Sequence, residues 1–370
     1  MPKISVLIPV YNASEFLHDS IPSILNQTLT DIELICVNDG SKDDSLEILN
    51  DYASKDSRVI VIDKENGGCG SARNAALKNA SGDYIYFFDP DDKIERNTFE
   101  LAYNSAIKNN SDMVIFKANV FDENGISNRE TYFYYDDILK EEQFDNFSYV
   151  DIKEFVLRGG YAPWSKLYKK EFLDEYDDFK FDLGLAFDDV PFHVKSMIRA
   201  KRISFINEYL YHYKVDNVNS VNSTASNGFD IFKIIDIVED ILRKENCFEE
   251  LQNQFYKFKV GHILLYIVST NSAEYYEMAR QSYFDVKSEY IKNNNYLNKR
   301  YELVLDTKDY EEFKLKYKIL TLEDEKKELI HKIKKLKKKN KKLKKINEDL
   351  VNSSNQGLSK HLNKVRNYIK

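Results

Sequence analysis

In the first third of the chain, short apolar runs with strand character alternate with segments of helical period. The strand-like runs are Ile4 to Val10, Ile32 to Val37, Val59 to Ile62, Tyr84 to Phe88 and Met113 to Phe116. Between them Phe16, Leu17, Ile21, Ile24 and Leu25 recur at helical spacing, as do Leu46, Leu49 and Tyr52, and then Ala72, Ala75, Ala76 and Leu77. This alternation predicts an α/β fold with a mostly parallel sheet, covered by helices on right-handed crossovers. Ligands of such sheets bind beyond the carboxyl ends of the strands. Tyr11 and Asn12 follow the first run, Asp39 follows the second, and Asp89, Asp91 and Asp92 follow the fourth. Three polar clusters at one predicted edge exceed what turn chemistry alone accounts for.

Each cluster suits part of an anionic ligand. In Phe87-Phe88-Asp89-Pro90-Asp91-Asp92 the carboxylates repel one another unless a cation lies among them. Hard oxygen ligands favour Mg2+ or Mn2+, held by one or two carboxylates together with substrate phosphates. An Asp-rich turn capping the next helix is the alternative. Asp39, beside Gly40 and Ser41, is placed to accept a hydrogen bond from a base imide, or to close an Asx-turn. The run Gly67-Gly68-Cys69-Gly70-Ser71-Ala72-Arg73-Asn74 opens a helix and lets backbone amides approach phosphate, although its spacing is not that of a dinucleotide fingerprint.

Taken together and in order, Ser5 to Asn12, Val37 to Ser41, Asn66-Gly67-Gly68 with Ala72-Arg73-Asn74, and Asp89-Pro90-Asp91-Asp92 make residues 1 to about 215 resemble a family 2 glycosyltransferase of the bacterial surface-polysaccharide kind. The resemblance implies the GT-A nucleotide-diphospho-sugar transferase fold. It implies a donor site of Pro9, Tyr11, Asn12, Asp39, Gly68, Arg73, Asp89 and Asp91, with Pro9, Tyr11 and Asp39 at the base, usually uracil. Asp91 and Asp89 would serve the metal, with His212 a further candidate ligand. Ala162 to Tyr168 and Phe187 to Phe192 resemble the family's second half, where a Glu-Asp pair supplies the base; here the pair is Asp188-Asp189. Asp189 is therefore the expected base of an inverting transfer. Trp164, the single tryptophan, and Asp188 are the expected acceptor contacts, the indole having an alternative as a buried anchor.

The remainder of the chain is organised differently. Residues 226–319 read as helical, following a 1–225 transferase domain, and 320–370 read as a basic coiled-coil or amphipathic tail. Leu322, Leu329, Leu336, Leu343 and Leu350 are seven residues apart, with Ile333, Asn340 and Asn347 at the companion heptad position. After an expected break at Ser353 to Gly357, Leu358, Leu362, Val365 and Ile369 resume a helical stripe. From Thr321 to Lys370 there are 16 Lys+Arg against 6 Asp+Glu, whereas the rest of the chain carries a net −17. The leucine spacing points to a two-stranded coiled coil and a homodimer, and the basic tail on an acidic body to an anionic membrane surface or another chain; a single solvated charged helix is the alternative.

Three cysteines without pairing or metal-ligand spacing, and no apolar run of membrane-spanning length, fit a cytoplasmic protein, peripheral at the inner face of the membrane if the tail binds lipid. The expected partners are a UDP-sugar donor and a glycan or lipid-linked glycan acceptor, with no nucleic acid. A sugar-phosphate nucleotidyltransferase would need a glycine-rich, Arg/Lys-bearing N-terminal loop that is lacking. A non-catalytic sugar-binding scaffold would not need Asp189 alongside all the donor-site carboxylates.

Overall fold

Every residue of β1 (Ile4–Val10) is buried, as a central strand covered on both faces requires. It is followed by α1 (Ser14–Leu25), β2 (Ile32–Asp39), α2 (Ser45–Lys55), β3 (Val59–Lys64), α3 (Cys69–Asn79) and β4 (Tyr84–Phe87). β1 pairs in parallel with β2 on one side and β4 on the other, and β2 pairs in parallel with β3. The small residues Gly70, Ala72 and Ala76 form the buried face of α3, which lets that helix lie close on the sheet.

The second half of the sheet comes from β5 (Lys93–Ile94), β6 (Met113–Asp122), β7 (Gly125–Glu130), β8 (Gln143–Phe147), β9 (Lys166–Lys169) and β10 (Ile203–Lys214). The helices among them are α4 (Thr98–Asn109), α5 (Lys170–Asp174) and α6 (Asp189–Arg199). The strand order is β3-β2-β1-β4-β9-β6-β10-β5, with β7 on β6 and β8 on β10. The computed structural model describes residues 1–122, 125–130, 143–215 and 228–368, with side chains described except at 122–130, 143–144 and 345–368.

The sheet is mixed, so the mostly parallel expectation holds for β3-β2-β1-β4 and is corrected beyond it. β9 lies antiparallel between β4 and β6, while β10 runs parallel to β6. A four-residue strand entered from the 3-10 turn Pro163–Ser165 has no periodicity long enough to be read in sequence. Its reversal has a consequence for the site: the start of β9 arrives at the edge where β1, β2, β4 and β10 end.

α7 (Asp230–Lys244), α8 (Phe248–Ser269) and α9 (Ala273–Tyr283) follow, then α10 (Asn295–Asp306) and α11 (Tyr310–Tyr368). Packing gathers Met1–Asn298 into one compact unit and Lys299–Lys370 into another. The reason is the apolar face of α7, where Ile231, Ile234, Ile235, Val238 and Leu242 are buried within the first unit.

Within the second unit, Arg300 donates from both terminal nitrogens to Asp324 at 3.2 Å. α11 is one continuous helix, so the break expected at Ser353 to Gly357 does not occur in its backbone. Leu322, Leu329, Ile333, Leu336 and Leu343 are exposed along it. The side chains of Asn347, Leu350, Leu358, Leu362 and Val365, and the whole of Ile369, lie outside the described residues. No helix among the described residues is long and apolar enough to cross a membrane.

Candidate active site

The parallel register brings the ends of β1, β2 and β4 to one level: Val10 lies opposite Asn38, and Leu7 opposite Phe87. Tyr11 therefore emerges beside Asp39 and within reach of the turn after β4. Pro9 is buried near the end of β1, and Tyr11 is 50% exposed. Asn12 adopts a left-handed conformation, φ +48°. Its Oδ1 accepts from the Lys42 amide at 2.8 Å, and its own amide donates to Ser41 Oγ at 3.0 Å. Asn12 thus fastens the end of β1 to the loop after β2.

Asp39 faces Lys64 across the β2–β3 ladder, and Lys64 Nζ donates to Asp39 Oδ1 at 2.5 Å. The Gly67 amide donates to the same oxygen at 3.0 Å, and the Gly68 amide to Oδ2 at 2.8 Å. The buried carboxylate so organises the glycine turn that opens α3, with Oδ2 retaining capacity for another donor. Gly68 sits at φ +87°, where a side chain would be strained, and the space beside its Cα is open. Lys64 was missed in the sequence; its signal is its place as the last residue of β3, level with Asp39.

After β4 the three aspartates diverge. The Asp92 amide donates to the Asp89 carbonyl at 3.2 Å, closing a turn in which Asp89 and Asp91 are half-buried. Asp92 is turned inward, 1% exposed, where it accepts from the Tyr211 hydroxyl and, at 2.6 Å, from the Lys214 amide. Burial, reinforced by the charges of Asp91 and Asp89, pushes its carboxyl well above the usual range. Asp92 is a support of the turn.

Arg73, buried in α3, donates from Nη2 to Asp89 Oδ1 at 2.8 Å, and its Nη1 lies 3.9 Å from Asp188 Oδ1. The guanidinium rests over the Phe181 ring, 5.2 Å from its centroid. Gly70 makes this approach possible, because a Cβ there would come within 2.2 Å of Asp188 Oδ2. Asp188 and Asp189 open α6 and are both half-buried. Burial raises the Asp188 carboxyl to about 7; Arg73 opposes the rise, while Asp189, Asp89 and Asp182 add to it. Burial also raises Asp189, against the pull of Arg73 and Lys166. A carboxylate shifted toward neutrality is a better proton acceptor there than an ordinary one.

Lys166, at the start of β9, is fully buried and donates to the carbonyls of Gly160 at 2.5 Å and Ala162 at 2.7 Å. Burial lowers its ammonium to about 7, with Asp189 pulling the other way. Sequence reasoning assigned Lys166 no role, although it stands in the Trp164-Ser165-Lys166-Leu167-Tyr168 motif.

Two further expected residues have partners within the fold. Trp164 is 6% exposed and stacks on Tyr211 at 4.1 Å between ring centroids, with Tyr213 at 5.5 Å. The indole packs as the buried anchor that was its alternative, with one face against Tyr211. His212 follows Tyr211 in β10, so it points to the opposite face of the strand, where Nε2 meets Glu95 Oε1 at 2.9 Å.

Among the described residues no three His, Cys, Asp or Glu side chains form a metal-holding group. Asp89 and Asp91 remain, and two carboxylates are the complement Mg2+ or Mn2+ takes when a diphosphate completes its shell. The residues present fit a metal brought in with its nucleotide.

The profile described as "Glycosyl transferase family 2" matches residues 5–177. Glycosyltransferase GlyA of Streptococcus pneumoniae serotype 4 is 33% identical over 223 residues, 58% of this chain but 30% of its own length, so the chain spans under a third of that relative. Glycosyltransferase GlyG of the same organism is 35% identical over 248 residues, 65% of this chain and 79% of that protein. Among solved structures, S. aureus TarS 1–349 in complex with UDP-GlcNAc is similar in fold, with TM-score 0.53 and 21% identity, covering 81% of this chain and 91% of that one. The profile match and the extent of the likeness to GlyG place it: the chain belongs to the family 2 glycosyltransferases.

Proposed function

We propose that the chain is an inverting glycosyltransferase that moves a sugar from a UDP-sugar to a glycan or lipid-linked glycan acceptor in bacterial surface-polysaccharide synthesis. The observation that carries this reading is the convergence of Asp39, the Asp89-Asp91 turn and the Asp188-Asp189 pair at one sheet edge, linked by Arg73. The UDP-GlcNAc complex of TarS, a protein of the same fold, supports the choice of a uridine donor.

In this reading Tyr11 lies against the uracil, and Asp39 Oδ2 accepts from its imide. Asp89 and Asp91 face the ribose and diphosphate and hold Mn2+ or Mg2+, which when bound offsets charge on the departing diphosphate. Asp189 takes the proton of the acceptor hydroxyl as its oxygen bonds to the anomeric carbon, from the side opposite the diphosphate. The bond to the diphosphate breaks in the same step, and configuration inverts. Asp188 borders the acceptor side.

The tail is read as a homodimer seam with affinity for an anionic membrane surface. Exposed leucines at seven-residue intervals on one helix support the seam. Ten lysines from Lys332 to Lys345, with no acidic residue among them, support the surface. A cytoplasmic enzyme peripheral at the inner membrane face follows from that reading.

The test is UDP release from a panel of UDP-glucose, UDP-galactose and UDP-N-acetylglucosamine with Mn2+, for the wild type and Asp189→Asn. One panel member should be turned over by the wild type, and the variant should bind UDP normally while losing most of kcat. Near wild-type turnover by Asp189→Asn would show that another residue is the base.

A further inference from the structure

The acid pair is reached through residues 182–187, and the two ends of this loop are held by different parts of the fold. At its entry, Asn74 of α3 and Phe181 bond in both directions: Asn74 Nδ2 donates to the Phe181 carbonyl at 2.9 Å, and the Phe181 amide donates to Asn74 Oδ1 at 2.8 Å. At its exit, Phe187 has φ +64°, a left-handed conformation that is an outlier for so large a side chain. Such conformations persist only where their surroundings enforce them, and they gather at active sites.

The enforcing contacts come from helices beyond the family-matched segment, which ends at residue 177. The Phe187 ring lies against Tyr266 of α8, with centroids 5.3 Å apart at 45°. The preceding Ala186 amide donates to Asp230 Oδ2, in the first turn of α7, at 3.0 Å. Tyr266 is itself backed by Gly228, where a Cβ would meet the Tyr266 Cβ at 3.1 Å. The Phe187 carbonyl accepts from the Val190 amide at 3.1 Å, so the strained residue also starts the helix whose first residue is Asp189.

We propose that Asp230 and Tyr266 are positioning residues for sugar transfer, fixing Ala186-Phe187 so that the Asp188-Asp189 pair is presented at the sheet edge. This rests on the reading of Asp189 as base. The helical segment thereby becomes part of the catalytic apparatus. Displacing a base by about 1 Å costs on the order of a hundredfold in rate, so a brace of this kind should be visible in kcat.

The full chain carrying Tyr266→Ala, Asp230→Ala, Phe187→Ala or the Phe187→Ala/Tyr266→Ala pair should be compared with Asp189→Asn. The measurements are UDP affinity by calorimetry with Mn2+, kcat and KM with the best-used UDP-sugar of the panel, and the pH profile of kcat. Tyr266→Ala and Asp230→Ala should lower kcat by roughly ten- to a hundredfold, leave UDP affinity and donor KM unchanged, and move the acid limb of the profile. Tyr266→Phe keeps the ring and Asp230→Asn keeps an acceptor oxygen, so both should recover most of kcat. The double variant should be no worse than the worse single one.

Wild-type kcat in both alanine variants, beside an inactive Asp189→Asn, overturns the brace and leaves the base assignment standing. Turnover by Asp189→Asn overturns the base assignment instead. If an alanine variant also loses UDP binding, Tyr266→Leu and Asp230→Ser take its place. A kcat loss that only tracks the folded fraction, with an unmoved pH profile, assigns these residues to stability and overturns the proposal.

Discussion

Arg73 and Asp89 are joined by a 2.8 Å hydrogen-bonded ion pair that ties the first turns of α3 to the acidic turn after β4. The same guanidinium lies 3.9 Å from Asp188, so one buried cation balances carboxylates from both halves of the domain. Arg73→Ala leaves these acids without that charge and should cost about 3 kcal/mol of stability. Arg73→Lys keeps the charge but cannot reproduce the planar donor fork, and should fall between the two. Urea unfolding without nucleotide is the measurement; an alanine variant as stable as the wild type would contradict the role given to the pair.

The divergence of the aspartates after β4 separates the proposed ligand site from its support. Asp91→Asn, and to a lesser degree Asp89→Asn, should weaken Mn2+-dependent UDP binding. Asp92→Asn should leave that binding nearly unchanged, because this side chain is turned inward, while lowering stability by about 1–3 kcal/mol by disturbing its hydrogen bonds with Tyr211 and the Lys214 amide. Calorimetry with UDP, with and without Mn2+, decides between them: unchanged affinity in both Asp91→Asn and Asp89→Asn removes the metal site from this turn.

Asp188 gives a pH dependence with a definite sign. Its folded pKa is raised, to about 7, so between its unfolded value near 3.8 and pH 7 the native state binds more protons than the unfolded one. The penalty of its charge is therefore complete above pH 7 and fades as pH falls through that window. Asp188→Asn should raise Tm by on the order of 2–4 °C at pH 8, with the gain gone near pH 4. Thermal unfolding at the two pH values tests it, and an equal shift at both would show that charge is not the cause.

On α11 the proposed seam and the proposed lipid contact can be separated without truncation. Leu329→Asp/Leu336→Asp places charge on two exposed seam positions and should convert a dimer to a monomer in light scattering at micromolar concentration. Neutralising Lys334, Lys338 and Lys342 with Gln should instead weaken sedimentation with phosphatidylserine vesicles, each lysine counting for about 1 kcal/mol at low salt. A wild-type monomer refutes the seam, and vesicle binding indifferent to salt refutes the electrostatic contact.

Strands β1 to β4 were legible in the chain, because fully buried parallel strands need continuous apolar runs, and so was the position of Tyr11, Asp39 and Asp89 at their carboxyl ends, because successive parallel strands end on one side. The sequence likewise marked the seven-residue leucine spacing, a strictly local property of one helix. Only the folded chain shows which of the three aspartates after β4 is withdrawn: Asp92 turns inward because Tyr211 and Lys214, more than a hundred residues away, offer it donors. It also decided that β9 runs backwards, bringing Lys166 to the edge, and that Trp164 is spent on Tyr211 while His212 points the other way. The strain at Phe187 has no signature in composition or period, since it exists only where Tyr266 and Asp230 meet the loop. Local patterns record which backbone a segment prefers; the direction a polar side chain finally faces depends on partners that only the folded chain brings near.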